Sequence, residues 1–292
     1  MRVTAYCPGH ITGFFVPCVH EDPLRTGSRG AGICIDRGVT ATLEVLPGDG
    51  SMEFIVDGVM RDAPVMRDVL ENLMGGGDFD IMVEASLGLP ISSGFGMSAA
   101  GALATAFAMA EALGRTTEEA FAAAHRAELA NGTGLGDVAA LSRGGMTFRR
   151  REGIPPFGRI DRLTDALDIV AAVVGPVIRT SDVLRDPTKR KTIDSIGREC
   201  YRLLAKDPTP DMFFRTSREF TMRSGLAGPP VMDALEAIER LGDASMIMLG
   251  NSIFARGDLD AMQSELSRFG TTYRLSLDLL GPRVLSSEGS LV

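Results

Sequence analysis

The amino-acid sequence predicts an α+β fold made of two domains, and three observations lead to this prediction. The chain has 292 residues, which exceeds the commonest size of a single domain. Both halves contain segments with the alternating pattern of strands and segments with the apolar spacing of helices. A stretch with two prolines and a glycine, residues 154–158, separates the halves. We therefore expect an N-terminal domain over residues 1–160 and a C-terminal domain over residues 161–292.

The composition is that of a globular protein with a buried core, since 45% of the residues are hydrophobic and 23% are charged. A formal net charge of −8 argues against nucleic acid as the main partner. The four cysteines form no C-x-x-C pair, and with only three histidines they argue against a zinc site. Neither a signal peptide nor a membrane-spanning run is evident, so we expect a cytoplasmic protein without membrane contact.

The first ninety residues are predicted to form strands and one helix. The predicted strands, where residues alternate or are β-branched, are 2–7, 33–46, 52–56 and 80–85, and the predicted helix is 64–74, which stops at three glycines. Between the first two strands, residues 8–31 hold Pro, Gly, His and Arg without periodicity. We predict a long loop there, and such loops in compact domains are usually functional or mobile.

Two helices and a glycine-rich loop complete the first half. Thr116 and Glu119 form a capping-box pattern, which begins the second of these helices. The predicted elements are an alanine-rich helix over 97–113, a helix over about 117–130, the loop over 131–137 and a strand over 146–150.

The second half begins with a strand of buried type and then becomes mainly helical. The predicted strands are 167–174, 245–254 and 271–279, and the predicted helices are 187–206, 211–224, 231–241 and 259–269. All three lysines of the chain lie in the first of these helices, at positions 189, 191 and 206.

The most informative segment is the glycine loop before the alanine-rich helix, residues 90–101, with the sequence PISSGFGMSAAG. Glycines at positions 94 and 96 let the backbone approach an anion closely, because no Cβ atom stands in the way. The free N–H groups at the start of the following helix, together with the helix dipole, favour a phosphate group. The segment therefore predicts a phosphate-binding site.

Two common types of phosphate-binding loop fit this segment poorly. A P-loop needs a lysine, and no lysine precedes residue 189. A dinucleotide-binding fingerprint matches the letters at Gly94, Gly96 and Ala99. Residues 90–93, however, separate it from the preceding strand, and the nearest acidic residue, Glu111, lies inside the helix. An oxidoreductase that binds a nicotinamide cofactor is therefore the weaker alternative.

Residues 90–100, which read P-x-x-x-G-x-G-x-S-A-A, resemble the signature of the GHMP small-molecule kinases. Cys7-Pro8-Gly9-His10 is similar to the family's first motif, a turn after the first strand. Glu128 on a helix, followed by a glycine-rich loop that ends in Asp137, is similar to its catalytic segment. The third family motif is matched only weakly, because residues 248–252 contain one glycine. Three matches in the family's order indicate a member of this superfamily.

The resemblance implies a two-domain GHMP kinase fold, with an N-terminal domain like domain 2 of ribosomal protein S5 and a C-terminal ferredoxin-like domain. It also implies ATP in the cleft between the domains, Mg²⁺, and a homodimer as an expectation for the family. The implied ATP-binding residues are Gly94, Phe95, Gly96, Met97, Ser98, Ala99 and Ala100.

The chemistry of phosphoryl transfer gives roles to three of the matched residues. Ser98 and Glu128 would hold Mg²⁺, since one hydroxyl and one carboxylate together with phosphate oxygens and waters suit that ion. Asp137 would accept or orient the proton of the substrate hydroxyl. It is equally placed to cap the segment 138–142, so that both functions stay open for this residue.

Within the superfamily, residues 8–15 and 22–32 are similar to an archaeal group whose substrate is the hydroxy acid pantoate, which it converts to 4-phosphopantoate on the route to coenzyme A. A carboxylate is well matched by a planar guanidinium. We therefore expect Arg29 to bind the substrate, with Arg25 and His10 as further candidates and Ser28 and Gly30 beside them. Many related kinases have lysine where His10 stands.

Two alternatives to this interpretation remain. The first is a GHMP kinase for another hydroxy acid or alcohol, such as homoserine, shikimate or mevalonate. The second is a protein of the same fold that binds a small molecule without catalysis. The presence of Ser98, Glu128 and Asp137 together argues against the second.

Overall fold

The computed structural model describes residues 1–76, 78–176 and 187–291. In these residues the strands are β1 (Arg2–Cys18), β2 (Gly27–Pro47), β3 (Met52–Val56), β4 (Val59–Met60), β5 (Phe79–Leu87), β6 (Met146–Arg151), β7 (Arg159–Leu163), β8 (Asp168–Val173), β9 (Gly242–Ile247), β10 (Ser252–Gly257), β11 (Thr271–Ser276) and β12 (Arg283–Glu288). The helices are α1 (Pro64–Met74), α2 (Met97–Leu113), α3 (Thr117–Asn131), α4 (Asp137–Leu141), α5 (Pro187–Lys206), α6 (Pro210–Ser224), α7 (Pro229–Ala237) and α8 (Leu259–Leu266). The predicted α+β class is confirmed.

The larger sheet has eight strands and carries a layer of three helices. Its main path runs β12-β1-β2-β5-β3-β4, and β6 pairs with β2 while β7 pairs with β6. Helix α2 lies against β1 and β2, and α1 and α3 pack on α2. Eight of the 17 residues of α2 are buried alanines. Because alanine is small, this helix can lie close to the sheet and to its helical neighbours at once, as expected for a helix that is apolar on all sides.

The smaller sheet has the order β11-β8-β10-β9 and is packed by helices of the second half. The chain also returns to the larger sheet at its end, because β12 pairs antiparallel with β1. The division of domains at residue 160 stays a prediction, and β12 belongs by its pairing to the first sheet.

The predicted loop over residues 8–31 is wrong. Strand β1 continues to Cys18, and β2 begins at Gly27, so that the two form one long antiparallel hairpin. Alternation is missing from this stretch because the strands are buried on both faces. The ladder also shifts register between Cys7 and Gly9 and between Thr12 and Phe14, which breaks the two-residue period.

Several other predictions are confirmed. Helix α2 has the predicted bounds and ends at Gly114, whose φ of 63° is left-handed. The capping box of Thr116 and Glu119 is present at the start of α3. The prediction of one strand over residues 245–254 is wrong, because β9 and β10 are two antiparallel strands joined by a turn that contains Leu249 with a φ of 64°. Strands β7 and β12 were not predicted.

Over the described residues, no helix is long and apolar enough to cross a membrane. The three lysines lie on α5, and each is exposed.

Candidate active site

A cavity of about 330 Å³ opens where the start of α2, the loop before α4, strands β1 and β6, and the turn between β9 and β10 come together. The residues that line it are Thr12, Phe15, Ser28, Ile91, Ser92, Gly94, Gly96, Met97, Ser98, Asn131, Gly132, Thr133, Gly134, Leu135, Gly136, Asp137, Arg149, Met248 and Leu249. Both glycine-rich loops predicted from the sequence therefore face one cavity.

The phosphate loop, residues 90–96, is held in a conformation that requires glycine. Gly94 has a φ of 91°, and Gly96, the residue before α2, has a φ of 68°. Phe95 between them is buried against Tyr273, and its carbonyl accepts a 2.9 Å hydrogen bond from the backbone N–H of His10. No described side chain caps α2, so its first N–H groups are left for a ligand in the cavity.

The turn between β9 and β10 lies directly against the phosphate loop. A Cβ atom at Gly250 would lie 2.2 Å from the carbonyl oxygen of Ser93 and 2.7 Å from the backbone nitrogen of Gly94. The backbone nitrogen of Met248 in the same turn donates to the carbonyl of Thr12. The single glycine of the weak third motif is thus in contact with the phosphate loop, and a larger residue would displace one of the two backbones.

Glu128 projects from α3 into a buried position beside the start of α2. Its Oε1 accepts a 2.5 Å hydrogen bond from Ser98 Oγ and a 2.8 Å bond from Thr133 Oγ1. Burial raises the pKa of the Glu128 carboxyl to about 7, the nearby charge of Asp137 adds to this, and the two hydroxyl donors oppose it. One carboxylate and one hydroxyl, as Mg²⁺ sites in kinases use, therefore stand side by side.

Asp137 begins α4 and reaches the cavity, where its side chain is 30% exposed. Its Oδ1 lies 2.9 Å from Nδ1 of His10 and accepts a longer bond from Thr12 Oγ1 at 3.4 Å. Burial would raise the pKa of Asp137, but the bonds from His10 and Thr12 and the charge of Arg149 lower it below its ordinary value. The carboxyl is therefore ionised at neutral pH.

Arg149, on β6, is a functional candidate that the sequence analysis missed. The residue is 1% exposed, it lines the cavity, and among the described residues no acceptor bonds to its Nε or Nη1. A Cβ atom at Gly136 would lie 2.1 Å from Ser28 Oγ and 3.4 Å from Arg149 Nε, so both side chains lie against that glycine. A buried cation with unpaired N–H groups is suited to bind an anion.

The substrate-binding residues that the sequence predicts do not all lie at the cavity. Arg29 donates to Glu152 at 2.7 Å, and Arg25 stacks over Phe157. Neither of them lines the cavity, whereas Ser28 does. Gly30 pairs with Arg149 across β2 and β6 and so supports the strand that carries this arginine.

The place of Arg149 in a run of three arginines explains why the sequence analysis missed it. Arg149 is followed on β6 by Arg150 and Arg151, and the three side chains become more exposed in that order. The sequence alone does not show which of three consecutive arginines faces inward.

His125 has a structural role outside the cavity. It donates from Nε2 to the carbonyls of Pro23 and Thr26, and these bonds hold the turn between β1 and β2 in place.

Comparisons with known proteins agree with this geometry. A family model described as the GHMP kinases N-terminal domain matches residues 61–145. A pantoate kinase of Methanospirillum hungatei is 36% identical, over 99% of this chain and 98% of the relative. A pantoate kinase of Thermococcus kodakarensis is 35% identical over 87% of each chain. A solved structure described as a phosphotransferase related to the CoA biosynthesis pathway has a TM-score of 0.89 at 29% identity, over 97% of this chain and 98% of the other.

The matched family model and the fold are those of a small-molecule kinase of the GHMP class. Because the similarity to its relatives extends over nearly the whole chain, the protein belongs to the pantoate kinase family within that class.

Proposed function

We propose that this protein transfers the γ-phosphoryl group of ATP to a hydroxyl of pantoate and forms 4-phosphopantoate. The observation that carries the proposal is the similarity to pantoate kinases over nearly the whole chain, together with a cavity that Ser98, Asp137 and Arg149 line and beside which Glu128 lies. The hydroxyl oxygen forms a bond to the γ-phosphorus, the bond from that phosphorus to the bridging oxygen breaks, and ADP leaves.

The start of α2 would hold the phosphates of the nucleotide. Gly94, Gly96, Met97 and Ser98 line the cavity, and no described side chain caps the first N–H groups of α2. The N–H of Ala100, in contrast, already donates to the carbonyl of Gly96. The chain has no lysine in this region to supply positive charge. Backbone amides and a bound cation would therefore balance the phosphate charge.

Ser98 and Glu128 would hold Mg²⁺. Their oxygens are 2.5 Å apart, and the pair leaves most coordination positions for phosphate oxygens and water, which is how this ion is usually bound beside nucleotides. When bound, the ion would neutralise charge on the phosphates. A bound cation would also favour the ionised form of Glu128, whose pKa is raised to about 7 without it.

Asp137 would receive the proton of the substrate hydroxyl. Its Oδ1 is engaged by His10 and Thr12, whereas its Oδ2 lies on the side of Gly134, which lines the cavity. Since the carboxyl is ionised, it can accept a hydrogen bond from the hydroxyl and orient the oxygen for attack.

Arg149 and Ser28 would bind the substrate carboxylate. Arg149 lines the cavity and has N–H groups without an acceptor among the described residues, while the guanidinium of Arg29 already bonds to Glu152 outside the cavity. We therefore assign the carboxylate to Arg149 in preference to Arg29 and Arg25.

An ADP-release assay with a panel of acceptors tests the proposed function. The panel is pantoate, pantothenate, homoserine, shikimate and mevalonate, each with ATP and Mg²⁺. We expect a kcat/KM for pantoate at least 100-fold above that for the others, and ³¹P NMR of the product should show one phosphomonoester. Preference for another acceptor would contradict the proposed substrate. Release of no ADP with any acceptor would favour a protein that binds without catalysis.

Magnesium as the metal, an archaeal source and a homodimer stay predictions from the family resemblance, and a cytoplasmic location stays a prediction from the sequence pattern. Replacing Mg²⁺ in the same assay by Ca²⁺ or by EDTA tests the first of these.

A further inference from the structure

His10 is buried beneath the cavity and does not line it. The residue is 0% exposed, and it lies on β1 opposite Cys34 of β2. A Cβ atom at Gly32 would lie 2.3 Å from its Nε2, and one at Gly96 would lie 3.2 Å from its Cβ. The imidazole is therefore enclosed between β2 and the phosphate loop, and a substrate in the cavity cannot reach it.

The two ring nitrogens of His10 have different surroundings. Nδ1 lies 2.9 Å from Oδ1 of Asp137, and Nε2 is buried without an acceptor among the described residues. A buried N–H group without an acceptor lowers the stability of the folded protein. The surroundings of Nε2 therefore favour a ring in which this nitrogen carries no proton. The ionised carboxylate of Asp137 can only accept, and Nδ1 must then carry the hydrogen.

The charged groups that face the ring are Asp137 and Arg149. A second proton on the ring would have no acceptor at Nε2, and Arg149 would repel it. Burial, opposed by the bond to Asp137, lowers the pKa of His10, in agreement with a neutral ring.

We propose that His10 is a positioning residue, which donates from Nδ1 of a neutral ring to Oδ1 of Asp137 and so keeps Oδ2 turned towards the substrate hydroxyl. It makes no contact with the substrate, in contrast to the substrate-binding role expected from the sequence. The inference rests on the proposed function only in naming the hydroxyl, because the tautomer and the bond to Asp137 belong to the protein without substrate.

Kinetics of three variants test the positioning role. Asparagine can place an amide N–H near the position of Nδ1, glutamine extends towards Nε2, and alanine provides neither. We expect kcat to fall about 10- to 100-fold in His10→Ala and His10→Gln, and to remain within about tenfold of the wild type in His10→Asn. The KM values for pantoate and ATP should stay within about threefold in all variants, because the ring contacts neither.

Two kinetic results would overturn the inference. A rise in the KM for pantoate at unchanged kcat would make His10 a substrate ligand. Equal activity of His10→Asn and His10→Gln would show that the donor at Nδ1 is not what matters. Thermal unfolding of each variant, without ligands, separates a loss of kcat from a loss of folded protein.

Nitrogen-15 NMR of the histidine rings tests the tautomer without any need for activity. The chain has three histidines, and His125, which donates from Nε2 to two carbonyls, serves as an internal reference of the opposite tautomer. At pH 7 we expect the His10 signal, assigned by its loss in His10→Asn, to show a protonated Nδ1 and an unprotonated Nε2. A protonated Nε2 or a charged ring would refute the inference. If instead the spectrum is as expected and pantoate is not phosphorylated, the proposed function fails and the ring assignment stands.

Discussion

Asp137 lines the cavity and Glu128 lies buried beside it, and the surroundings of the two carboxyl groups shift their pKa values in opposite directions. Asp137 is bonded to His10 and Thr12 and feels the charge of Arg149, and its pKa is lowered. Within the part of the chain that the structure describes, the Glu128 carboxyl bonds to the hydroxyls of Ser98 and Thr133, and burial raises its pKa to about 7. Both groups are desolvated, so burial alone does not decide their charge. The charge of Arg149 and the hydrogen bond from His10 act on Asp137, and they explain why its pKa is lowered while that of Glu128 is raised.

This difference corresponds to two kinds of chemistry. A carboxylate that is ionised before any ligand arrives can orient a hydroxyl at once. A carboxyl held near neutrality gains most when a divalent cation binds beside it, because the ion compensates the lost hydration. A pair of carboxyl groups whose environments separate their pKa values is a general mark of divided roles in a catalytic site.

The largest effect is expected for Asp137→Asn. This change keeps the shape and the ability to accept a hydrogen bond at the start of α4 but removes the charge. We expect kcat to fall by about 10³-fold or more, since proton acceptance and orientation of the hydroxyl are both weakened. The measurement is steady-state ADP release, with circular dichroism as a control for folding. Activity within tenfold of the wild type would show that the charge of Asp137 is not needed for phosphoryl transfer.

The raised pKa of Glu128, opposite in direction to the shift of Asp137, can be tested by measuring stability against pH. The pKa of Glu128 in the folded protein, about 7, lies above the ordinary value of 4.5. Its favourable contribution to the free energy of unfolding is therefore fully present below pH 4.5 and is lost as the pH rises through 7. At about 1.4 kcal/mol for each pKa unit, the loss amounts to about 3 kcal/mol. Glu128→Gln has no such loss, and we expect this variant to gain about 3 kcal/mol relative to the wild type between pH 4.5 and pH 8.

Urea unfolding without nucleotide or metal ion gives this comparison, and Asp137→Asn is the matched control. Because the folded pKa of Asp137 lies below 3.8, its contribution is present above that pH and is lost as the pH falls through the folded value. Asp137→Asn should therefore be less stable than the wild type at neutral pH. If both variants changed stability in the same direction at pH 8, the contrast between the two carboxylates would be refuted.

A smaller effect is expected from Arg149, whose charge acts on Asp137. Loss of charge-assisted bonds to a carboxylate in Arg149→Gln should raise the KM for pantoate about 30-fold while the KM for ATP stays within about threefold. The same variant should raise the pKa of Asp137, and the acidic limb of the kcat profile should move to higher pH. Arg29→Gln, which loses a bond to Glu152 outside the cavity, is the control. A larger effect from Arg29 would reverse our assignment of the carboxylate.

The parts of the fold that were predictable are those with local signals. Helix α2 could be placed to the residue, because glycines at 96 and 114 bound a run of small apolar side chains. The capping box of α3 is similarly contained in four residues. The β1–β2 hairpin and β12 depend on pairing across the chain, since Arg2 of β1 pairs with Glu44 on one side and Glu288 on the other. No local pattern carries that information.

The residues of the candidate site can likewise be divided into those that sequence motifs reveal and those that only the structure reveals. Ser98, Glu128 and Asp137 were found through motifs, and the structure brings all three to one cavity or beside it. Arg149 belongs to no motif, and we propose its role from its burial and from N–H groups that find no acceptor among the described residues. His10 was found in a motif, but its burial and its bond to Asp137 change the role we assign to it.

The lysines on α5 have a practical consequence for studying the protein. Each of the three is exposed, and none lies in the first 188 residues, which contain the phosphate loop and both carboxylates. Amine-directed coupling to a sensor chip or a fluorescent dye will therefore modify one helix and the N-terminal amine and leave the cavity chemically untouched. Ligand titrations on immobilised protein can be carried out with the native sequence.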